Sequence, residues 1–284
     1  MTLRAATRGS PLARLQTDLV AALLHEHVEA LVVETTGDRR QDVPIHEMGG
    51  QGVFVKEVQS AVLDGRADFA VHSAKDLPSA PTPGLVIAAV PERADARDAM
   101  VGSTLAGLRR GAHVGTGAVR RRAQLAATRP DLEFGELRGN IDTRLRKAGE
   151  FDAVVLAAAA LIRLGRTEAI TELLEPSVVM PQVGQGALAV ECRADDARVR
   201  SLLAGAQHGP SRRAVDAERA YLAALGGGCD LPAGAHAVVG RGDRVRMSVV
   251  LATVDGSVVV REEGEDDDGV GLGTELAGRV LART

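Results

Sequence analysis

The sequence has no tryptophan, one tyrosine and four phenylalanines, so aromatic residues make up only 2% of its 284 positions. Cores built without them must rest on Ala, Val and Leu. A surface without them offers no stacking platform for single-stranded nucleic acid. Positive charge is not in excess either: 34 Lys and Arg against 38 Asp and Glu give a net charge of −4. That argues against a generally basic nucleic-acid-binding face. No apolar run approaches the length of a membrane span; the longest, Ala153 to Ile162, is short and Ala-rich. The segment from Met1 to Arg8 is polar and lacks the apolar centre of a signal peptide, and a cytoplasmic protein is expected. Cys192 and Cys229 are the only cysteines. Two thiols cannot form a disulfide framework, and in a reducing compartment both are expected to be free. The histidines show no ligand spacing with cysteine, so no metal site is expected.

What is present is ordinary globular composition, 45% hydrophobic and 25% charged, over a length that suits two or three domains. The first ninety or so residues alternate between strand and helix. Leu3 to Thr7 reads as a strand, and Pro11 opens a helix in which Leu12, Leu15, Leu19 and Leu23 recur at helical spacing. Leu31 to Thr35, Asp68 to Val71 and Leu85 to Val90 read as strands, and Val53 to Leu63 as a helix. A charged patch, Pro91 to Asp98, reads as a hinge. The alternation then restarts: strands at His113-Val114, Leu132 to Leu137 and Ala153 to Leu156, helices at Val119 to Thr128 and Ile141 to Lys147. Pro181 to Gly186 reads as a second crossover, and Ala187 to Glu191 as a strand that returns to the first unit. The last part has helices at Ser211 to Leu225 and Gly273 to Leu281, with strands at Val245 to Ala252 and Ser257 to Arg261. The acidic run Glu262 to Asp268 is expected to be a solvated loop.

Three constellations carry chemistry. In Gly115-Thr116-Gly117-Ala118-Val119-Arg120-Arg121-Arg122 a strand gives way to a glycine turn and a helix. Three arginines in a first helical turn oppose the helix dipole, which a protein tolerates when something negative sits there. Further cations, Arg8, Arg138, Arg144 and Arg163, appear at other loop and helix starts, several of them just past the carboxyl ends of expected parallel strands. In open α/β sheets that edge is where ligands bind, and arginine forks match carboxylates. The second constellation is His72-Ser73-Ala74-Lys75-Asp76, where Asp76 can exchange a proton or stabilise a developing cation beside Lys75. The third is Gly226-Gly227-Gly228-Cys229, a thiol with little steric cover and so a candidate nucleophile or attachment point. Cys192, at a strand end, is expected to be a small buried hydrophobe.

Several runs resemble the hydroxymethylbilane synthase (porphobilinogen deaminase) family. They are Ala6 to Ala13, Val71 to Pro78, Arg120-Arg121, Leu137 to Asn140, Thr143 to Leu145, Val183 to Ala187, Val190 to Arg193 and Gly227 to Cys229, in family order along nearly the whole chain. The resemblance implies an α/β fold of two type II periplasmic-binding-protein-like domains joined by crossover segments, plus a small α+β C-terminal domain. The expected division is 1–91 with 187–205, then 92–186, then 206–284. It implies a dipyrromethane cofactor in thioether linkage to Cys229, and stepwise deaminative joining of four porphobilinogens into hydroxymethylbilane. Asp76 matches the family's catalytic carboxylate. Lys75, Thr116, Arg120, Arg121 and Arg144 are expected to hold the cofactor, and Arg8, Ser10, Arg138, Arg163 and Gln185 the substrate. A monomer is expected, with neither nucleic acid nor membrane as partner. A carboxylate-binding module without catalysis, built on the same cleft, is the alternative. Where many family members carry a serine pair after the Gly-Thr turn this chain has Gly117 and Ala118, and where many carry lysine it has Gln51.

Overall fold

The computed structural model describes residues 2–35, 55–227 and 231–284. The loop with Gly37, Gly49, Gly50, Gln51 and Gly52 therefore lies outside the described residues, as does Cys229.

The first sheet has the order β2-β1-β3-β10-β4. Its strands are β1 (Thr2–Arg8), β2 (His27–Val33), β3 (Phe69–Ser73), β4 (Leu85–Ala89) and β10 (Leu188–Arg193). β1 runs parallel to β2 and β3, while β10 lies antiparallel between β3 and β4. Ser10 caps α1 (Pro11–Ala21) by accepting from the Ala13 amide at 3.3 Å, and Pro11 fills the first helical position, where no amide donor is needed. The helix buries Gln16, Thr17 and Val20, while Leu19 and Leu23 of the leucine row stand exposed. A second helix, α2 (Lys56–Leu63), buries Val58, Gln59, Ala61 and Val62.

The second sheet repeats this plan in the order β7-β6-β8-β5-β9. Its strands are β5 (Asp98–Val101), β6 (His113–Gly115), β7 (Glu133–Gly135), β8 (Ala153–Ala157) and β9 (Glu172–Leu174). β6 is parallel to β7 and β8, and β5 is the antiparallel intruder between β8 and β9. All five residues of β8 are buried, as its unbroken apolar run predicts for a central strand. Helices α3 (Val119–Thr128), α4 (Ile141–Lys147) and α5 (Ala158–Arg163) connect its strands. After β10, α6 (Ala197–Leu203) packs on the first sheet through Val199 and Leu203.

The last part is an antiparallel sheet, β11 (Ala233–Val239), β12 (Val245–Ala252) and β13 (Val259–Asp266), covered by α7 (Gly209–Ala224) and α8 (Gly269–Leu281). Tyr221 is fully buried in its core and donates its hydroxyl to the Val250 carbonyl at 2.9 Å, so the polar tip of the one tyrosine is satisfied. The acidic run does not form a loop up to Asp266. Glu262 to Asp266 continue β13, pairing with Val249 to Val245 of β12 and keeping their carboxylates on or near the surface.

Two crossovers join the sheets, one from Val90 to Arg97 and one ending at Ala187. They run side by side: the Ala94 amide donates to the Gly186 carbonyl (3.2 Å) and Arg93 Nε to the Gln185 carbonyl (2.8 Å). Gly186 has φ +85°, and a β-carbon there would strike the Ala94 carbonyl, so glycine is required where the crossovers touch. Glu218 of α7 clasps both. Its fully buried carboxylate accepts from both terminal nitrogens of Arg93 (2.6 and 3.1 Å), the Gly184 amide (2.7 Å) and the Ala237 amide of β11 (2.8 Å).

Candidate active site

The carboxyl ends of the parallel strands deliver the expected residues from both sheets. β3 ends at Ser73, and a single 3₁₀ turn, Ala74–Asp76, follows. Asp76 opens onto a pocket also lined by Arg8, Ser10, Gln16 and Ser73. Among the described residues, none is hydrogen-bonded or ion-paired to its carboxylate, and it is half-buried. Gln16 donates its amide to the Ser73 hydroxyl at 3.0 Å and Thr17 donates its hydroxyl to the Ala13 carbonyl at 3.1 Å, so both polar residues that α1 turns inward are satisfied. Ser10 is already committed to capping α1.

The second sheet adds Arg138 and Arg144 to Lys75, which follows β3 of the first. Lys75 and Arg144 both sense Asp76, and both sense Arg121 as a like charge. Burial, with Arg121 and Arg144 as repelling neighbours, outweighs Asp76 and Asp98 and draws the Lys75 ammonium down to about 8. Burial likewise draws Arg144 down to about 10, helped by Arg121 and Arg138 and opposed by Asp76 and Glu136. Arg144 Nε is held by the Gly139 carbonyl at 2.8 Å on a helix that Asn140 caps through the Thr143 amide. Arg138 stands 3.4 Å from Glu136. Asp76, Lys75, Arg138 and Arg144 thus share one electrostatic neighbourhood, with Arg8 and Ser10 on the same pocket as Asp76.

Other expected residues are placed differently. The negative charge that answers the arginine run is internal: it is Asp98, the first residue of β5. Arg120 Nη2 donates to it at 2.8 Å, and Arg121 donates through Nε (3.0 Å) and Nη2 (2.7 Å). The remaining terminal nitrogens reach the Met180 and Val155 carbonyls, and both arginines are buried. Burial pushes the Asp98 carboxyl up, yet the two guanidiniums overcome it and hold the group well below the usual carboxylate range. Gln185, expected against substrate, is fully buried. Its amide donates to the Ala96 carbonyl (2.7 Å) and to Asp98 (2.9 Å), and its oxygen accepts from Lys75 Nζ at 3.4 Å. It is a strut between the crossovers and Lys75. Arg163 donates to the Gly186 carbonyl at 2.7 Å, and the Thr116 hydroxyl accepts from the Ala118 amide at 3.3 Å. Gly117 stands where a β-carbon would lie 2.9 Å from the Leu137 carbonyl, so the loops beside it have closed the space a larger residue needs.

Asp98, Gln16 and Glu218 were not singled out from the sequence. The arginine run called for a counter-charge, but nothing local says that it comes from a strand more than twenty residues earlier. Cys192 is fully buried at the end of β10, where burial pushes its thiol up to about 11, in line with a packing role.

The model of the porphobilinogen deaminase, dipyromethane cofactor binding domain, matches residues 3–201, and that of the porphobilinogen deaminase, C-terminal domain, matches residues 213–282. The chain belongs to the porphobilinogen deaminase family. A porphobilinogen deaminase of Acidothermus cellulolyticus is 48% identical across 98% of this chain and 88% of that one. One of Roseiflexus sp. is 48% identical across 99% and 96%. Among solved structures, an ABC transporter periplasmic binding protein from Brucella ovis with glutathione bound matches at a TM-score of 0.42 and 16% identity, over 78% of this chain and 68% of that one. No helix among the described residues is long and apolar enough to cross a membrane.

Proposed function

We propose that this chain is a hydroxymethylbilane synthase, a transferase that joins four porphobilinogens head to tail with loss of ammonia. The observation that carries the reading is an Asp76 carboxylate with no hydrogen bond or ion pair among the described residues, set on a pocket with Arg8 and within the electrostatic reach of Lys75 and Arg144. Each porphobilinogen brings an acetate and a propionate, so a growing chain adds two negative charges per ring. Arg8, Arg138, Arg144 and Lys75 are the cations proposed to receive them, with Ser10, Thr116 and Arg163 at the margins of the cleft. Arg120 and Arg121 act through Asp98: they keep a positive field behind Lys75 while their forks stay on protein groups.

Asp76 protonates the departing amine as its C–N bond breaks, accepts hydrogen bonds as a carboxylate from pyrrole N–H groups as positive charge develops on them, and takes up the proton that the attacking pyrrole carbon releases once the C–C bond has formed. The donor set fits a dipyrromethane, which itself carries several carboxylates; attached at Cys229, it supplies the pyrrole end on which the chain grows. Lys75 beside Asp76 orients a carboxylate so that the reacting methylene lies against Asp76. The assignments of 1–91 with 187–205, 92–186 and 206–284 as separate domains, of a monomer, and of the cytoplasm belong to the same proposal.

The intact mass of protein purified from a host that makes porphobilinogen should exceed the sequence mass by a dipyrromethane, and acidic aldehyde reagent should colour it pink. Asp76→Asn should keep that adduct and lose turnover by about a hundredfold or more, because shape persists while the charge and the proton go. An unmodified mass, or near-normal turnover in Asp76→Asn, would overturn the assignment.

A further inference from the structure

The turn that carries Asp76 and the segment that leads into Cys229 are fastened to each other by groups outside the pocket. Ser79, three residues after Asp76, donates its hydroxyl to the Gly227 carbonyl at 3.3 Å. Arg219 of α7 donates through Nη2 to the carbonyls of Pro78 (2.8 Å) and Ser79 (3.3 Å). α7 ends at Ala224, and its chain runs directly on into Gly226 and Gly227. A β-carbon on Gly227 would collide with the Leu231 side chain, so the two flanks of residues 228–230 are in contact. Leu231 in turn packs on the core of the third sheet.

The arrangement has a second side. Glu191 of β10 senses Arg219, accepts from the Gln59 amide at 2.8 Å and stands 3.2 Å from His72 Nε2, four residues before Asp76. Thr82 donates to Gln59 at 3.1 Å. The start and the end of the Asp76 turn are therefore both braced, and the end is braced by the helix that leads to the cysteine. Cys229 follows Gly227 by two residues in sequence, and two residues of chain span at most about 7 Å.

We infer that Arg219 and Ser79 are positioning residues that set the distance between the tethered chain end and Asp76. The inference rests on Cys229 as the attachment point. Neither residue lines the pocket that holds Asp76. Their effect is exerted through the Pro78–Ser79 backbone and the Gly227 carbonyl.

The test uses full-length holoenzyme and compares wild type with Arg219→Gln, Arg219→Lys, Ser79→Ala and the double variant Arg219→Gln/Ser79→Ala. Intact mass should show the adduct in all of them. kcat should fall by about tenfold to a hundredfold in Arg219→Gln and less in Ser79→Ala, with KM for porphobilinogen changed by no more than about twofold. Arg219→Lys should recover part of the loss, since an ammonium can still donate to the two carbonyls. The loss in the double variant should fall short of the product of the single losses, because both act on one contact. Partly elongated enzyme species, seen as added pyrrole units in the mass spectrum, should accumulate in the variants. Wild-type kcat and an unchanged set of elongated species in Ser79→Ala and in either Arg219 variant would overturn the inference alone. A wild-type protein without adduct would overturn the functional reading together with it. If Arg219→Gln fails to fold, Ser79→Ala and Arg219→Lys decide the matter on kcat and the mass pattern.

Discussion

Lys75 is the side chain whose charge the fold strains most usefully. Its ammonium is held near about 8, below the 10.5 of a solvated lysine. Between these two values the unfolded chain binds more protons than the folded one, so this group's contribution to stability rises as pH rises. Its contribution to carboxylate binding runs the other way and fades as pH passes about 8. KM for porphobilinogen, measured from about pH 7 to about pH 9.5, should therefore climb on the alkaline side in wild type, and should climb much less in Lys75→Arg, whose charge persists. An identical alkaline limb in both proteins would count against Lys75 as a carboxylate ligand. At this scale the sequence revealed residue types better than partners. Lys75 and Asp76 stand out because they follow the end of β3 directly, and Arg144 because it stands near the start of a helix. The fate of Arg120 and Arg121 could not, because Asp98 sits in a stretch that reads as a hinge, and its pairing is set by a strand insertion with no local signature.

Among the elements, α3, α4 and β12 have the ranges expected from the sequence. β5, β9 and β11 escaped notice. β5 and β9 are four and three residues long, too short for alternation to register, and β11 opens Ala-Gly-Ala where β-branched residues would have marked a strand. Gly234 in β11 has a packing reason: a β-carbon there would come within 2.6 Å of the Pro181 carbonyl at the crossover. The acidic stretch misled because charge alone says solvent, and an edge strand with one wet face satisfies that as well as a loop does. Close approach also governs α7 and α8. Gly273 lies where a side chain would strike the Ala217 carbonyl and sit 3.0 Å from the Tyr221 amide. Gly273→Ala must push the helices apart, and urea unfolding should show a loss of about 1–3 kcal/mol despite the better helix propensity of alanine.

For the molecule as a whole, Glu218 is the point where three sheets meet. One buried carboxylate serves Arg93 of the first crossover, Gly184 of the second and Ala237 of the third sheet. Glu218→Gln keeps the shape but leaves the Arg93 guanidinium without its countercharge, at a cost of about 3–5 kcal/mol. Limited proteolysis should then cut within the two crossovers, which wild type protects; an unchanged digestion pattern would show that the clasp is dispensable. The alternation of strands and helices announced two α/β units and even the return of β10, whereas this clasp was invisible, since its partners lie 19, 34 and 125 positions from Glu218. The exchange of strands has a consequence for the newborn chain. β3 and β4 have no direct ladder to each other, because β10 lies between them. During synthesis β3 and β4 must wait, the edges that β10 will join uncovered, until nearly two hundred residues have left the ribosome. The second sheet needs no such wait, since all its strands lie between Asp98 and Leu174, so one wall of the cleft is complete before the other can close.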